Sequence, residues 1–180
     1  MLKITIPSRE MFDEKTQEFF QTKEYNIQLE HSLVSLSKWE SKWNIPFMST
    51  KEKTVEQTLD YIRCMTITQN IDEKAYNALT TKNIQEINDY ISAPMTATTF
   101  NKNNNLKKNN EVVTSELIYY WMIALNVPME CQRWHLNRLL TLINVCNIKQ
   151  TPPKKMSKKE LMSRNAALNA ARRSKLHTTG

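Results

Sequence analysis

The sequence predicts a mainly α-helical domain with a short N-terminal strand or hairpin and a separate basic C-terminal helix. Three observations support this fold class. The 180 residues include one glycine, Gly180, although average usage of about 7% would give roughly a dozen. Apolar residues recur at three- and four-residue spacing along most of the chain. The net charge of +7 is carried by residues 151–180.

The scarcity of glycine disfavours several classes of site. Loops that bring backbone N–H groups close to a phosphate need residues without a Cβ atom, and the chain has no GxGxxG, Walker A or GxSxG motif. Tight Asn-Gly hairpins are also missing, which disfavours a large β-sheet architecture. We therefore expect helices joined by Asn, Thr, Ser and Pro connections.

The N-terminal segment alternates apolar and polar residues. Leu2, Ile4 and Ile6 are separated by polar residues, which predicts a short strand. Residues 111–113 form a second extended candidate that could pair with it. Residues 8–26 are ambiguous, and we interpret them as a loop with a helical turn.

Capping residues and apolar stripes predict the helices of the body. The first predicted helix covers residues 28–44, and the second runs from a capping box at Ser49 and Glu52 to about Thr68, with Val55 on its buried stripe. Asp72 and Thr81 are predicted to cap two shorter helices. The last two predicted helices of the body cover residues 115–125 and 129–148. The nine apolar residues from Leu117 to Leu125 lack a polar face. We expect that helix to be central and covered on most sides.

The charge distribution predicts the domain organisation. Residues 1–150 contain 17 Lys+Arg and 17 Asp+Glu, whereas residues 151–180 contain 8 and 1. We predict a neutral helical body over 1–150 with a mobile polar loop at 101–110, a stiff Pro-Pro linker at 151–156, and a basic helical tail at 157–180. A capping box formed by Ser157 and Glu160 starts the tail helix.

The basic tail is the predicted partner-binding segment. Its candidate residues are Lys154, Lys155, Lys158, Lys159, Arg164, Leu168, Arg172, Arg173 and Lys175. The tail has no aromatic residue for stacking on bases, and its cations fall into two clusters, so an acidic protein partner is favoured over nucleic acid. A solvated tail that only increases solubility is the alternative.

Candidate catalytic and metal-binding residues are sparse. Cys131 and His135 are four residues apart on a predicted helix, but structural zinc needs four ligands and catalytic zinc three. We interpret them as an inert thiol and a buried, hydrogen-bonded histidine, and His31 as a surface or boundary histidine. Asp60 and Glu56 are assigned to a solvated helix face. Without an oriented nucleophile and base, we expect no enzyme activity, metal or cofactor.

The four tryptophans are predicted to lie in the core. Trp39 and Trp43 are one helical turn apart, a spacing that also allows stacking on a base or a partner groove, but they continue an apolar stripe. Trp121 and Trp134 are core candidates as well.

The longest apolar run has nine residues, whereas a membrane span needs about 20, so no membrane association is expected. Without a signal-peptide pattern and with three cysteines, the chain is expected to be intracellular with reduced thiols.

Three segments resemble small proteins of tailed bacteriophages. These segments are LEHSLVSLSKWESKWNIPF, YYWMIALNVPMECQRWHLNRLLTLINVC and PPKKMSKKELMSRNAALNAARRSKLHTTG. They are similar to the tail assembly chaperones encoded just before the tape-measure protein. The most distinctive part is RNAALNAARRSKL near the C-terminus.

The resemblance implies an assembly factor in the cytoplasm of the bacterial host. Such chaperones are expected to bind the tape-measure protein, keep its long helices soluble and help recruit tail-tube subunits, without a cofactor. Two alternatives stay open, namely a structural protein of the virion (a head–tail, tail or baseplate component) and a small nucleic-acid-binding regulator. Self-association into a homo-oligomer also stays open.

Overall fold

A computed structural model describes residues 1–13, 17–49, 52–100, 111–150 and 157–177. The fold is mainly α, as predicted, with two small antiparallel sheets among these residues. The chain divides into two units, Met1–Asn147 and Ile148–Gly180. The predicted loop at 101–110 and linker at 151–156 lie outside the described residues.

Four strands form the N-terminal part of the first unit. They are β1 (Leu2–Ile6), β2 (Glu10–Asp13), β3 (Glu18–Gln21) and β4 (Tyr25–Leu29). Strand β1 pairs antiparallel with β4, and β2 pairs with β3 as a hairpin between them. Ile4 faces Ile27 across the first sheet, and both side chains are buried.

Three predictions for this region are wrong. Residues 8–26 contain the β2–β3 hairpin instead of a helical turn, because Met11 pairs with Phe20 and Phe12 with Phe19 across it. Residues 111–113 are not a strand, and β4 takes the place beside β1. The helix predicted over residues 28–44 begins later, at Leu33, because residues 28 and 29 belong to strand β4. Ile27 and Leu29 are both buried, which is the two-residue repeat of a strand with one buried face.

Six α-helices and two 3-10 helices follow within the described residues. They are α1 (Leu33–Trp43), α2 (Val55–Met65), the 3-10 helix Glu73–Ala78, α3 (Thr81–Ser92), α4 (Ser115–Ala124), the 3-10 helix Met129–Arg133, α5 (Leu136–Gln150) and α6 (Lys158–Leu176). The hydroxyl or carboxylate oxygens of Ser32, Thr54, Asp72, Thr80 and Thr114 accept backbone hydrogen bonds at their helix starts.

The predicted cap of Asp72 is confirmed, whereas other boundaries shift. The capping box of α2 is formed by Thr54 and Gln57, and not by Ser49 and Glu52. Val55 therefore lies in the first turn, where its side chain is 77% exposed instead of buried.

Two further boundary predictions are wrong. The cap of α3 is Thr80 instead of Thr81. The predicted helix over 129–148 is split, because an extended Trp134 separates the 3-10 helix from α5.

Helix α1 separates two hydrophobic clusters in the first unit. Trp39 belongs to the cluster formed with β1, β4, α2, the first 3-10 helix and α3. Leu33 and Leu36 belong to the cluster formed with α4, the second 3-10 helix and α5. All three side chains are fully buried. Burying a leucine contributes roughly 1.5–3 kcal/mol, so α1 is a large contributor to the stability of both clusters.

A buried carboxylate fixes the C-terminal end of α1 to its neighbours. Glu40 Oε1 accepts a hydrogen bond from the backbone N–H of Phe47 at 2.8 Å, and Oε2 accepts one from that of Ser115 at 2.7 Å. Ser115 is the first residue of α4, where N–H groups have no partner within the helix. Asn44 ends α1 in the left-handed conformation, φ 55°, which turns the chain back toward Glu40.

Helix α4 is less covered than its sequence predicts. Ser115, Ile118 and Met122 are buried, but Tyr120 and Ile123 on the opposite side are 62% and 67% exposed. The prediction that this helix is covered on most sides is therefore wrong for the first unit. Its exposed side carries the apolar side chains of Tyr120 and Ile123 together with Glu116.

We predict that Glu40→Gln lowers the free energy of unfolding by about 2–3 kcal/mol, because an amide NH2 group would face one of two buried N–H donors. Chemical denaturation followed by circular dichroism measures this change. Glu52→Gln makes the same substitution at an exposed position and should change stability by less than about 0.5 kcal/mol. Equal denaturation midpoints for the two variants would contradict the assigned role of Glu40.

Candidate functional site

The predicted partner-binding residues lie almost entirely on α6. Lys158, Lys159, Arg164, Leu168, Arg172, Arg173 and Lys175 are all exposed on this helix. Lys154 and Lys155 lie outside the described residues. Helix α6 begins directly after Ser157, where the predicted capping box starts, and the carbonyl of Ser157 accepts from the N–H of Leu161.

Helix α6 presents two different faces. At 3.6 residues per turn, Leu161, Leu168, Arg172 and Lys175 fall within about 60° of one another. Ala166 and Ala170 lie on the opposite side, together with Lys159. One face of the helix therefore combines leucines with cations, an arrangement that can fill a shallow apolar groove with an acidic rim.

The cations of α6 are concentrated at its two ends. Lys158 and Lys159 lie in the first turn, and Arg172, Arg173 and Lys175 lie in the last turns. With a rise of about 1.5 Å per residue, the two groups are about 20 Å apart along the axis. A cluster at the C-terminal end is also favourable for the helix, because cations there interact with its dipole.

An apolar groove of about 400 Å³ lies between α4 and α5 in the first unit. Trp121 and Ala124 line it from α4, and Leu140 and Ile143 line it from α5. The polar side chains at the groove are amides of α5, Asn144 and Asn147, and none of its lining residues is charged. Sequence reasoning missed this groove because it assigned all the apolar residues of α4 to the core.

Buried His31 and partly buried His135 join the start of α1 to the start of α5. Their ring centroids are 5.0 Å apart, and the N–H of Leu136 donates to the carbonyl of His31 at 2.8 Å. His31 Nδ1 lies 2.6 Å from the hydroxyl of Tyr61, and His135 Nε2 lies 2.9 Å from the carbonyl of Tyr90. His31 is 3% exposed, so its prediction as a surface or boundary residue is wrong. His135 is hydrogen-bonded, as predicted, and partly buried.

The environment of the two histidines favours their neutral forms. Burial, and then the adjacent His135 ring, lower the pKa of His31 from 6.5 to about 4. Burial also lowers the pKa of His135, although its hydrogen bond with the carbonyl of Tyr90 opposes this shift. His135 Nδ1 is buried without a hydrogen-bond partner, so a proton added there would have no acceptor. Adding a second proton to either imidazole ring would therefore destabilise the folded state.

Asp60 is a buried structural carboxylate, and its prediction as part of a solvated face is wrong. It is 4% exposed, and Trp43 Nε1 donates to its Oδ2 at 2.9 Å while Lys42 Nζ donates to Oδ1. Trp39 is fully buried and donates to the carbonyl of Gln57 at 2.9 Å, which confirms its place in the core. These polar groups are hydrogen-bonded within the protein, so we assign them a structural role.

The remaining candidate groups do not assemble into a chemical site. Cys64, Cys131 and Cys146 are free thiols, and burial raises the pKa of Cys64 and of Cys131. Among the described residues, no group of three or more His, Cys, Asp or Glu side chains could hold a metal ion. Within the same part of the chain, no helix combines the length and apolar character needed to cross a membrane.

Comparisons with known proteins leave the family open. No family model, no curated protein and no solved structure matches the chain significantly.

We predict that the protein loses stability as the pH falls from about 6.5 toward about 4, the unfolded and folded pKa values of His31. The folded state holds this imidazole neutral and the unfolded state takes up its proton, so the stability is fully present above the unfolded pKa. The loss from His31 alone is about 3 kcal/mol. Urea unfolding at several pH values measures it.

His31→Gln should flatten this pH dependence, whatever its effect on stability at neutral pH. His177→Asn removes an exposed histidine and should leave the slope unchanged. If wild type and His31→Gln had the same slope between these pH values, the assignment to His31 would be wrong.

Proposed function

We propose that this chain is a tail assembly chaperone of a tailed bacteriophage, which binds the tape-measure protein and helps recruit tail-tube subunits. The resemblance of three segments to that family motivates the proposal. The observation that carries it is α6, a 19-residue cationic helix with exposed leucines in a unit separate from the folded body.

The composition of α6 supports a role as a ligand for another protein. Leu161 and Leu168 are 48% and 46% exposed, and two such anchors contribute too little burial to stabilise a domain. Exposed leucines on a basic helix become stabilising when the helix lies in a groove of a partner. The acidic rim of such a groove would be complementary to Arg172 and Lys175 on the same face.

The spacing of charge on α6 favours a protein partner over nucleic acid. Duplex DNA presents a phosphate along each strand at about every 3.4 Å of axis, and a helix that follows it gains from evenly distributed cations. The central part of α6 is instead rich in Asn and Ala and carries one cation, Arg164, whereas the other cations lie at the two ends. The helix also lacks aromatic side chains for stacking on single-stranded bases.

The body supports a binding role through its fold and charge. Its buried polar groups, including Glu40, Asp60 and His31, serve the fold. Residues 1–150 have equal numbers of cations and anions, so the chain combines a neutral scaffold with a cationic recognition segment. This division suits an assembly factor that must hold and then release a partner.

We predict that the full chain captures co-expressed tape-measure protein and that a form ending at Gln150 does not. The physical reason is the loss of every exposed leucine and cation of α6. Affinity capture followed by quantitative mass spectrometry measures the retained partner. Equal capture by the shortened form would remove α6 from the proposal.

A charge-matched pair of variants separates specific contacts from net charge. Replacing Arg172, Arg173 and Lys175 by glutamine should weaken capture about tenfold or more, because three cations at one end of α6 are lost. Replacing exposed Lys3, Lys23 and Lys38 by glutamine removes the same charge from the body and should leave capture unchanged. Similar losses in both would indicate non-specific attraction.

The amount of the protein in purified phage particles tests the alternative of a virion component. A chaperone should be abundant in infected cells and nearly absent from particles. Stoichiometric presence in particles would support the structural alternative and contradict the proposal.

A further inference from the structure

The start of α5 is tied to the end of α3 by side-chain hydrogen bonds. Asn137 Nδ2 donates to the carbonyls of Ile91 and Ala93, both at 2.9 Å. His135 Nε2 donates to the carbonyl of Tyr90, also at 2.9 Å. Carbonyls at the end of a helix lack the donor that a further turn would supply. Two side chains at the start of α5 therefore complete the C-terminal end of α3.

The same segment is tied to the residues that precede α1. The N–H of Leu136 donates to the carbonyl of His31 at 2.8 Å, and Ser32 pairs with His135 in an isolated antiparallel bridge. The rings of His31 and His135 are 5.0 Å apart between these contacts. We call His31, His135 and Asn137 the histidine junction, because α5 meets both α1 and α3 at these residues.

The histidine junction lies between the two hydrophobic clusters. Helix α3 belongs to the first cluster through Ile87, whereas α5 belongs to the second through Leu136 and Leu139. Helix α3 has a separate attachment to the first cluster, since Asn83 Nδ2 donates to the carbonyl of Thr5 in β1 at 3.2 Å. Breaking the junction would therefore leave α3 in place and remove the polar contacts that hold the start of α5.

The junction can accept a proton but offers it no partner. Because His135 Nε2 carries the hydrogen that is donated to Tyr90, Nδ1 is the atom that a further proton would occupy. His135 Nδ1 is buried without a hydrogen-bond partner, and the ring of His31 lies beside it. A buried charge without a partner is costly. Burial lowers the pKa of both histidines, so acid favours a state in which the rings reach water.

The titratable groups on the neighbouring elements are mostly neutral. Burial raises the pKa of Tyr61 on α2 and of Tyr90 on α3, so both phenols stay uncharged in acid. The N-terminal ammonium of Met1 lowers the pKa of His135, and Glu30 before α1 raises the pKa of Tyr90. The groups of α2 and α3 that contact the imidazole rings therefore provide no negative charge to an imidazolium.

We propose that the histidine junction is an acid-sensitive latch, which releases the start of α5 from α1 and α3 when its imidazole rings take up protons. Release opens the second hydrophobic cluster, whereas the strands, α2 and α3 keep the first cluster folded. Leu33, Leu36 and Leu139 then lose part of their cover, so acid controls how much apolar surface the body presents. The latch is independent of any phage partner, because all its groups lie in the first unit.

Hydrogen–deuterium exchange of the full chain at pH 7, 6 and 5 measures the opening of α5 separately from that of α2. Rates are corrected for the pH dependence of exchange in an unfolded peptide. Exposure of His31 alone would shift the opening equilibrium about 20-fold between pH 7 and pH 5, given its pKa values of 6.5 and about 4. We expect the protection of residues 137–145 to fall about tenfold or more. At pH 5 it should be at least about tenfold lower than the protection of buried amides in α2.

A double variant removes the titrating rings and keeps a side-chain amide at each position. His31→Asn combined with His135→Gln retains an N–H donor for the carbonyl of Tyr90 but takes up no proton. Its protection in α5 should change by less than about threefold between pH 7 and pH 5. His177→Asn is the matched control, because His177 is exposed and lies in the second unit. This control should respond to pH as the wild type does.

Asn137→Ala tests the geometry of the junction without any titration. The carbonyls of Ile91 and Ala93 lose their donor, so the protection of α5 should fall about tenfold at pH 7 while that of α2 stays unchanged. Asn144→Ala makes the same substitution at an exposed position of the same helix, where it should not lower protection.

Three results would overturn the latch. One is equal protection of α5 and α2 at every pH, since protons would then destabilise the whole unit in one transition. Another is a wild-type pH response in the double variant, because the titrating groups would lie elsewhere. The third is an equal loss of protection in α5 and α2 of Asn137→Ala. If the double variant did not fold, the first and third measurements would still decide.

Discussion

The first unit depends on burying the charge of Glu40 with adequate partners. A buried carboxylate is costly unless hydrogen bonds replace those of water. Glu40 receives two backbone N–H donors, one from the segment after α1 and one from the first turn of α4. The same contact supplies α4 with an acceptor that the helix cannot provide. Helix α1 contributes to both hydrophobic clusters. The two hydrogen bonds of Glu40 therefore fix α4 relative to α1 and to the elements that pack against α1.

How much of the fold was predictable from sequence depends on the range of the interactions involved. Local signals identified β1, the cap of Asp72 and the stripe of α5, because capping and periodicity involve residues a few positions apart. The start of α1 was missed, since Leu29 satisfies both a helical and a strand pattern and only pairing with Leu2 decides between them. The buried roles of Glu40, Asp60 and His31 depend on donors and rings from distant segments, which spacing cannot reveal.

The candidate binding surfaces differ in predictability for a related reason. The cations of α6 were found because charge is counted along the sequence, and the helix exposes all its described side chains. The α4–α5 groove was not found, since an apolar run has the same composition whether its outer face is covered or in water. The exposure of Ile123 supplies the missing information.

The near absence of glycine has a consequence for the unfolded state. Left-handed positions such as Asn44, Asn70 and Asn126 are occupied by asparagine, which tolerates this conformation at modest cost. A residue with a Cβ atom samples fewer backbone conformations than glycine before folding, an effect of about 0.4–1 kcal/mol per position. The chain thus begins from a narrower ensemble and loses less entropy as it orders. Part of the free energy of unfolding therefore comes from the limited conformational entropy of the unfolded chain, and not from contacts in the folded one.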